Sequence, residues 1–538
     1  MAWSGLEWGS LACAALAAVL ASFFRAFALS GRLVQSSDSA QDFVVAHAVA
    51  RGNLLLSGWH FPLNNYYFTD TIPYAVLERM LGAQPFLLAL EPALIYALFV
   101  AVALIVCLPR SQPFSQKIEA VAILALVFAA PVWIGSWNPL FLSAMHVASA
   151  VGAFVALGLC ARLPEIQTKV ASLLCMAAIV VLTAAVVASD PFALVFAFAP
   201  ALAVLASDAI SSRRLIGAFA AMAFGVTIGW LLPHAIALVG GFTIEIDVVG
   251  RFVAAPLLVR NLVALLAGVL RVFGILIPES PLTPGSVALL ALRCTVFAAA
   301  IAAVVRTLRK MIGTGRTPLL DRLLCAGILT VLPACAASAQ FGKGIVAHDL
   351  WGGGPPMRYL MPVYLFAAVL TARQIPDMLA FWPARARHIA SCALLLLAAL
   401  NLVAGGRLSG VEAQPRWIAD NQADTAARWL ERHGLSQGIG EYWSANLVTA
   451  LSGDRVQVRS VVQDKGRLIP YIWVEDARWY TRAPQFVLWQ EPNKTGVTAA
   501  AVRATYPVCG ITLVAGFRVA LLAQPSHACR RIRPGAGR

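Results

Sequence analysis

The chain has 538 residues, of which 60% are hydrophobic and 12% are charged, and its formal net charge is +15. Soluble domains have roughly a quarter of their residues charged, so this composition excludes an ordinary soluble protein and predicts a polytopic α-helical membrane protein. The apolar runs are continuous rather than alternating, which excludes a membrane β-barrel. The basic residues cluster in short loops between those runs, a pattern typical of cytoplasmic loops and not of a nucleic-acid-binding surface.

A membrane-spanning helix needs about 20 mostly apolar residues, and the sequence predicts about eleven such helices. The runs lie at about 11–29, 86–108, 118–135, 139–161, 170–188, 191–207, 215–239, 286–305, 322–340, 357–372 and 388–405. The first run has no Lys or Arg before it, which favours a retained helix over a cleaved signal peptide. The basic loops alternate consistently with the others, which predicts a cytoplasmic N-terminus.

The same alternation places three loops, 30–85, 240–285 and 341–356, on the outer face. The segment 240–285 is too polar for a clean span, because Arg260, Asn261 and Arg271 interrupt its apolar face. We interpret it as an interfacial or re-entrant helix.

The composition changes near Gly406, so we predict a transmembrane domain at 1–405 and a small soluble α/β domain at 406–538. Helical patterning covers 417–433, with Gly434 as a C-terminal stop, and shorter helical pieces lie at 444–452 and 497–505. The predicted strands are 438–442, 455–461, 485–490, 511–515 and 517–523, with a hairpin turn at Ala515–Gly516. Cys509 and Cys529 lie in this outer domain and predict either a disulfide or two free thiols.

The first outer loop contains three aspartates that could do chemistry. Asp38 directly follows the first helix and could act as a general base on an acceptor hydroxyl. Asp42 has a second interpretation, because Ser39-Ala40-Gln41-Asp42 fits a helix capping box. Asp70 precedes Ile72-Pro73 and could instead be an ordinary turn residue.

Aromatic residues follow in the same loop, and we expect them to be exposed. Trp59 and Tyr67 could line a sugar or lipid site, or they could form a belt at the membrane interface.

The last outer loop contains candidates for holding a lipid phosphate. Arg358 and Tyr359 open the tenth predicted helix, and a guanidinium binds phosphate oxygens in pairs. The alternative for Arg358 is snorkelling to the interface. Lys343 and His348 are further polar candidates that could also be plain loop surface.

Ionisable residues at membrane depth are functional candidates by default, and here they are Glu91, His146 and Asp190. His146 lies inside the fourth apolar run, whereas Glu91 and Asp190 lie near the outer ends of theirs and could simply reach the interface. Glu245 and Asp247 could join Asp38 around a divalent metal, although no sequence motif for a metal site is present. The cofactor therefore stays open. Walker A and HExxH motifs are absent from the sequence.

These features together resemble the GT-C superfamily of membrane glycosyltransferases, which take sugars from polyprenyl phosphates. The resemblance depends on Asp38 after helix one, the juxtamembrane segment AHAVARGNLLLSGW, the run WHFP…YYFTDTIPYAVLERMLG and the late MRYLMP entry. The segment GEYWSANLVTALSGDRVQVRSV is similar to the periplasmic C-terminal domain of bacterial members. The resemblance implies that Asp38 is the catalytic acid of the first outer loop and that Arg358 is the basic residue of the late loop. Many members have two adjacent acidic residues where this chain has Asp38-Ser39, so a metal requirement and retained activity are both left open.

We therefore expect an inverting glycosyltransferase that moves a hexose or pentose from a polyprenyl-phosphate donor to an acceptor. It would act on the outer face of a bacterial cytoplasmic membrane, with its C-terminal domain periplasmic. The expected partners are the lipid-linked donor and membrane lipids, with no nucleic acid and an open acceptor. The alternatives are a transporter or flippase for a lipid-linked saccharide, and a non-catalytic cell-envelope assembly protein.

Overall fold

The computed structural model describes residues 5–33, 35–108, 113–128, 138–209, 213–245, 252–275, 284–313, 317–339, 341, 355–408, 422–491 and 495–523. The chain forms two compact units. We call one the membrane unit, which comprises 1–33, 89–232 and 248–414, and the other the mixed unit, which comprises 34–88, 233–247 and 415–538.

The helices are numbered along the chain. They are α1 (Gly5–Ser30), α2 (Ser37–Ala50), α3 (Ile72–Leu81), α4 (Leu87–Cys107), α5 (Phe114–Phe128), α6 (Val147–Arg162), α7 (Lys169–Ser189), α8 (Ala199–Ala209), α9 (Arg213–Leu238), α10 (Ala255–Val272), α11 (Pro284–Ile312), α12 (Leu319–Ala337), α13 (Met361–Leu379), α14 (Ala384–Leu408), α15 (Gln422–Arg432), α16 (Tyr442–Leu451) and α17 (Ala499–Thr505). π-helical turns at Tyr67–Thr71 and Leu194–Phe198 lead into α3 and α8.

The membrane unit is a bundle of apolar helices, as the composition requires. Within the described residues, eight helices are long and apolar enough to cross a membrane, so the protein is a multi-pass membrane protein. The predicted total of about eleven is not confirmed. The apolar segment 194–209 is one of the shorter helices. Helix α5 has 15 described residues, and the rest of its predicted run, 129–135, lies outside the described residues.

Helix α10 lies where the sequence predicts an interfacial or re-entrant helix. It has 18 residues and is among the candidate spans by length and composition. Its polar residue Asn261 is buried, and the amide donates to the carbonyl oxygens of Ala336 and Ser338 at 2.9 Å each. This pairing satisfies the amide nitrogen of a polar side chain that interrupts the apolar face in the sequence.

The described residues of the mixed unit form two sheets. Their strands are β1 (Trp59–Phe61), β2 (Thr243–Ile244), β3 (Gln437–Glu441), β4 (Gln457–Asp464), β5 (Arg467–Pro470), β6 (Glu475–Asp476), β7 (Phe486–Trp489), β8 (Val508–Val514) and β9 (Phe517–Leu522). The larger sheet has the order β5-β4-β3-β7-β9-β8, with β3 parallel to both β4 and β7 and the other pairs antiparallel. Its core is built around the fully buried Trp489 and Val487.

The smaller sheet joins three distant parts of the sequence. Strand β1 from the first outer loop pairs in parallel with β2 and antiparallel with β6 of the C-terminal region. Residues 34–88, which contain most of the predicted first outer loop, are therefore built into the same compact unit as the α/β region, although the sequence assigns them to the transmembrane domain.

The predicted elements of the C-terminal region match the structure closely. Each predicted strand overlaps an observed one, and the predicted short helices correspond to α16 and α17. Gly434 has φ +68° after α15, and Ala515 and Gly516 have φ +48° and +84° between β8 and β9, so the helix stop and the hairpin turn are confirmed. Cys509 is disulfide-bonded, while Cys529 lies outside the described residues.

Two glycines one turn apart let α9 pack closely on α7. A Cβ added at Gly225 would lie 2.8 Å from the carbonyl oxygen of Val180, and one added at Gly229 would lie 2.6 Å from that of Ala184. Small residues spaced by four are a common solution for helices packing in lipid, because they let the backbones approach.

We expect Gly229→Ala to lower the thermal midpoint of the detergent-solubilised protein, because overpacking a tight contact costs about 1–3 kcal/mol. Gly9→Ala is the matched control, since a Cβ at that position meets nothing within 4 Å. Equal midpoints for the two variants, measured by scanning fluorimetry, would contradict the close α7–α9 contact.

Candidate functional site

The N-terminus of α2 lies in the predicted first outer loop and is fixed by a capping box. Ser36 is the N-cap: its backbone N–H donates to Ser39 Oγ at 2.9 Å, and the Ser39 hydroxyl donates back to the Ser36 carbonyl at 3.0 Å. The capping interpretation of Asp42 was therefore wrong. Because the helix begins at Ser37, Asp42 falls in its second turn and is buried.

Asp38 lies in the first turn of α2 and is half-buried. The hydroxyl of Tyr442, the first residue of α16, donates to Asp38 Oδ1 at 2.5 Å. One turn further along α16, the backbone N–H of Asn446 donates to Ser37 Oγ at 3.1 Å. Two hydrogen bonds thus join the start of α2 to one face of α16.

Asp42 lies one turn below Asp38 and faces a second buried carboxylate. Asp42 Oδ1 accepts from Thr71 Oγ1 at 3.1 Å, and Asp70 accepts from Thr69 Oγ1 at 2.8 Å. Burial first, and then the charge of Asp70, raise the pKa of Asp42 well above its usual value. Burial beside Asp70 therefore favours the protonated form of Asp42, and a protonated carboxyl can donate a hydrogen bond.

A partly exposed aromatic face adjoins Asp38 in the same unit. The ring of Tyr442 packs edge-on against Trp443 and Tyr471, with centroids 5.2 Å away in each case. Tyr471 stacks with Trp473 at 6.3 Å and an interplanar angle of 8°. On the Tyr442 face of α16, the side-chain amide of Asn446 is buried and has no hydrogen-bond partner among the described residues.

A buried charge triad holds the far end of α2. His47 Nδ1 is 2.5 Å from Glu78 Oε1 on α3, and His47 Nε2 is 3.0 Å from Asp454 Oδ2, just after α16. Burial lowers the pKa of His47, but hydrogen bonds to Asp454 and Glu78 outweigh it and raise the pKa to about 9. The imidazolium therefore bridges two carboxylates at neutral pH and ties α2 to both neighbours.

Four aromatic residues of the predicted first outer loop, Trp59, Phe61, Tyr66 and Tyr67, are buried, so the expectation that they are exposed was wrong. Trp59 is 3% exposed and stacks with Phe61 at 6.1 Å. Tyr67 is 8% exposed, and its hydroxyl donates to the carbonyl oxygen of Leu54. Strand β1 is a middle strand of the small sheet, which places Trp59 and Phe61 in its packing.

The phosphate candidates belong to the membrane unit. The Arg358 guanidinium lies 5.2 Å above the Tyr359 ring and donates to the Tyr359 hydroxyl at 3.3 Å. Tyr359 in turn packs against the rings of His146 and Phe192, with centroids 5.1 and 5.2 Å away.

The ionisable residues that the sequence predicts at membrane depth are buried and hydrogen-bonded, and His146 and Asp190 lie at the N-terminal end of α6 and the C-terminal end of α7. His146 Nδ1 is 2.7 Å from Asp190 Oδ2, and both side chains are fully buried. Glu91 accepts from Ser143 Oγ at 2.9 Å. Arg358, Tyr359, His146 and Asp190 thus form a contiguous polar cluster inside the apolar bundle.

Of the remaining candidate site residues, the structure describes only some. Lys343, His348 and Asp247 lie outside the described residues. Glu245 is 3.2 Å from His60 Nδ1 and is 43% exposed. Among the residues that the structure describes, no group of three or more His, Cys, Asp or Glu could hold a metal ion.

No protein-family model matches this chain, and no curated protein is significantly similar to it. The interpretation of the site therefore depends on the geometry above.

Sequence reasoning missed the partners of α2. Tyr442, Asn446 and Asp454 are about 400 residues away from it in the chain, and no local pattern links them to Asp38 or His47. Tyr471 and Trp473 could have been noticed as aromatic residues in a polar stretch, since such residues mark binding surfaces.

We expect His47→Gln to reduce stability most at low pH. The pKa of His47 rises from 6.5 to about 9 on folding, so its contribution is fully present below about pH 6.5 and is lost as pH rises through about 9. The maximal effect should be on the order of 1–2 kcal/mol after allowance for solvent screening.

The check is the thermal midpoint of the wild type and the variant between pH 6 and 9.5, with the exposed His433→Gln as control. A midpoint difference that does not shrink across this window would contradict a charged His47.

Proposed function

We propose that this protein is an inverting membrane glycosyltransferase that uses a polyprenyl-phosphate sugar as donor, with Asp38 as the general base. The observation that supports it most is the half-buried Asp38 carboxylate, fixed by Tyr442 beside a partly exposed aromatic face. The resemblance of the first outer loop to GT-C enzymes suggests the same residue.

Tyr442 suits the role of a positioning residue. Its hydroxyl donates a hydrogen bond to Oδ1 of Asp38 and so fixes the rotamer of the carboxylate. Oδ2 is then left to accept the proton of an acceptor hydroxyl. A negative charge in the first turn of α2 is favoured by the helix dipole. In the proposed step the acceptor oxygen bonds to the anomeric carbon, the carbon–oxygen bond to phosphate breaks, and Asp38 takes the proton.

The aromatic face suggests that the acceptor is a saccharide. Aromatic rings present a large apolar surface with polar atoms at the edge, which matches the C–H face and hydroxyl rim of a pyranose. Tyr471 and Trp473 would hold the ring while Asp38 receives the proton of one hydroxyl.

The leaving phosphate would be held by the cluster around Arg358. A guanidinium next to a tyrosine hydroxyl can donate several hydrogen bonds to a phosphate. Lys343 and His348 remain further candidates. A cavity shared by Asp38 and Arg358 stays a prediction, because the two residues belong to different units.

We expect Asp38→Asn to lower the rate of polyprenyl-phosphate release by about 10²–10⁴-fold, the usual contribution of a general base. The assay incubates the purified protein with a panel of synthetic polyprenyl-phosphate hexoses and pentoses and with cell-envelope saccharides. Mass spectrometry follows the released polyprenyl phosphate and the new glycoside.

The matched control is Asp464→Asn, the same change at an exposed position at the end of β4. It should release polyprenyl phosphate at the wild-type rate. Near-normal turnover by Asp38→Asn would contradict the assignment of Asp38 as the general base.

Trp473→Ala should lower kcat/KM for the acceptor about tenfold, since stacking on an aromatic ring is worth roughly 1 kcal/mol or more, and should leave the KM for the donor unchanged. Trp429→Ala, in α15 of the same unit, is the control. If Trp473→Ala raised the KM for the donor as much as the KM for the acceptor, the result would argue against a binding surface for the acceptor.

A second candidate function is transport of a lipid-linked saccharide, and the buried His146–Asp190 pair favours it. Such pairs at membrane depth often lie on substrate or proton paths. In proteoliposomes, sugar movement that survives Asp38→Asn but stops in His146→Gln, with no new glycosidic bond, would support transport over transfer.

A further inference from the structure

A cavity of about 670 Å³ lies in the membrane unit between the C-terminal ends of α11 and α13. Its wall includes Arg306, Arg309 and Lys310 from α11, with Phe381 and Trp382 from the turn after α13. The cavity is well within the range of about 300–1,000 Å³ that small-molecule sites occupy. None of its described lining residues is among the residues assigned above to the transfer site.

The two cations next to α13 are held in place by a single buried glutamine. Arg306 donates to the backbone carbonyl of Gln374 at 2.9 Å, and Lys310 Nζ is 3.4 Å from Gln374 Oε1. Gln374 itself donates to the buried Asp321 at 2.5 Å. The positive charges are therefore positioned by the fold before any ligand arrives.

The charge on the wall of the cavity is positive, because the described lining residues include three cationic side chains and no carboxylate. Asp321 is buried and ion-paired with Arg373, and the charge of Asp377 also acts on Arg373. Neither acidic residue is among the lining residues. An anion is thus the complementary ligand.

The exposed aromatic residues at the cavity, Phe381 and Trp382, indicate that the anion is part of a lipid. Phe381 is 83% exposed and Trp382 is 52% exposed, an unusual position for large apolar rings unless lipid surrounds them. Tryptophan is enriched where helices meet the headgroup layer. The Arg306 guanidinium also lies 5.8 Å above the Phe381 ring, so charge and apolar surface meet at the cavity mouth.

We propose that this cavity binds the phosphate headgroup of an anionic phospholipid, with the cations holding the phosphate and the exposed rings contacting the glycerol and upper acyl chains. Basic pockets between membrane helices on the cytoplasmic side bind such headgroups, and the charge pattern of the sequence places these loops on that side. The site is independent of the proposed transferase.

The test compares thermal stabilisation of the full-length protein in detergent by phosphatidylglycerol, phosphatidylcholine and inorganic phosphate. Phosphatidylglycerol should raise the wild-type midpoint by several degrees more than phosphatidylcholine does. The double variant Arg309→Gln, Lys310→Gln should lose most of that increment. If inorganic phosphate at the same concentration raised the midpoint as much as phosphatidylglycerol does, the site would bind a free anion, and the proposal of a lipid ligand would be overturned.

The matched control is Arg162→Gln, Lys169→Gln, which removes the same charge from another predicted cytoplasmic loop. It should keep the response to phosphatidylglycerol. Equal losses in the two double variants would show a general effect of net charge and overturn a specific site.

A second measurement avoids dependence on the charge variants. Brominated phosphatidylglycerol should quench a share of the tryptophan fluorescence of the wild type that is missing in Trp382→Phe, and brominated phosphatidylcholine should show a smaller difference. Identical quenching of the two proteins by brominated phosphatidylglycerol would overturn contact between the lipid and the cavity mouth.

Discussion

The packing of α2 against α16 is the constraint on which the account of the mixed unit depends. It joins the first outer loop to the C-terminal α/β region through the Asp38–Tyr442 hydrogen bond at one end and the His47–Asp454 ion pair at the other. Without this packing Asp38 would be an aspartate on an ordinary surface loop. With it, the carboxylate has a fixed rotamer and aromatic neighbours, which are the conditions that a positioned base requires.

Desolvation explains why so many ionisable residues occur in pairs. A buried charge is costly unless it is paired or neutralised, and the chain uses both solutions. His47 gains two carboxylates and stays charged, whereas Asp42, beside Asp70, has its pKa raised and favours the neutral form. In the membrane unit His146 pairs with Asp190, and Asp321 pairs with Arg373.

The sequence predicted the helices and strands but not the tertiary contacts between them. Apolar runs and Gly434 predicted helices and a helix end correctly because these signals act over a few residues. Asp38 was recognised as a candidate from its place after helix one, but Tyr442 was not, because a contact between residues 404 positions apart leaves no local pattern. The aromatic residues of the first loop were misjudged because composition cannot distinguish a buried cluster from an exposed one. The predicted number of spans is not confirmed, since eight helices of the described residues are long and apolar enough to cross a membrane.

The most direct test of the central claim is cysteine trapping of α2 on α16. The backbone of Asn446 is hydrogen-bonded to Ser37 Oγ at 3.1 Å, so Ser37→Cys combined with Asn446→Cys should form a disulfide on mild oxidation in native membranes. Mass spectrometry of the linked peptides would detect it, with Ser37→Cys combined with Ser436→Cys as the control pair. The account predicts a linked peptide for the first pair alone, and no link there, or equal links in both pairs, would contradict it.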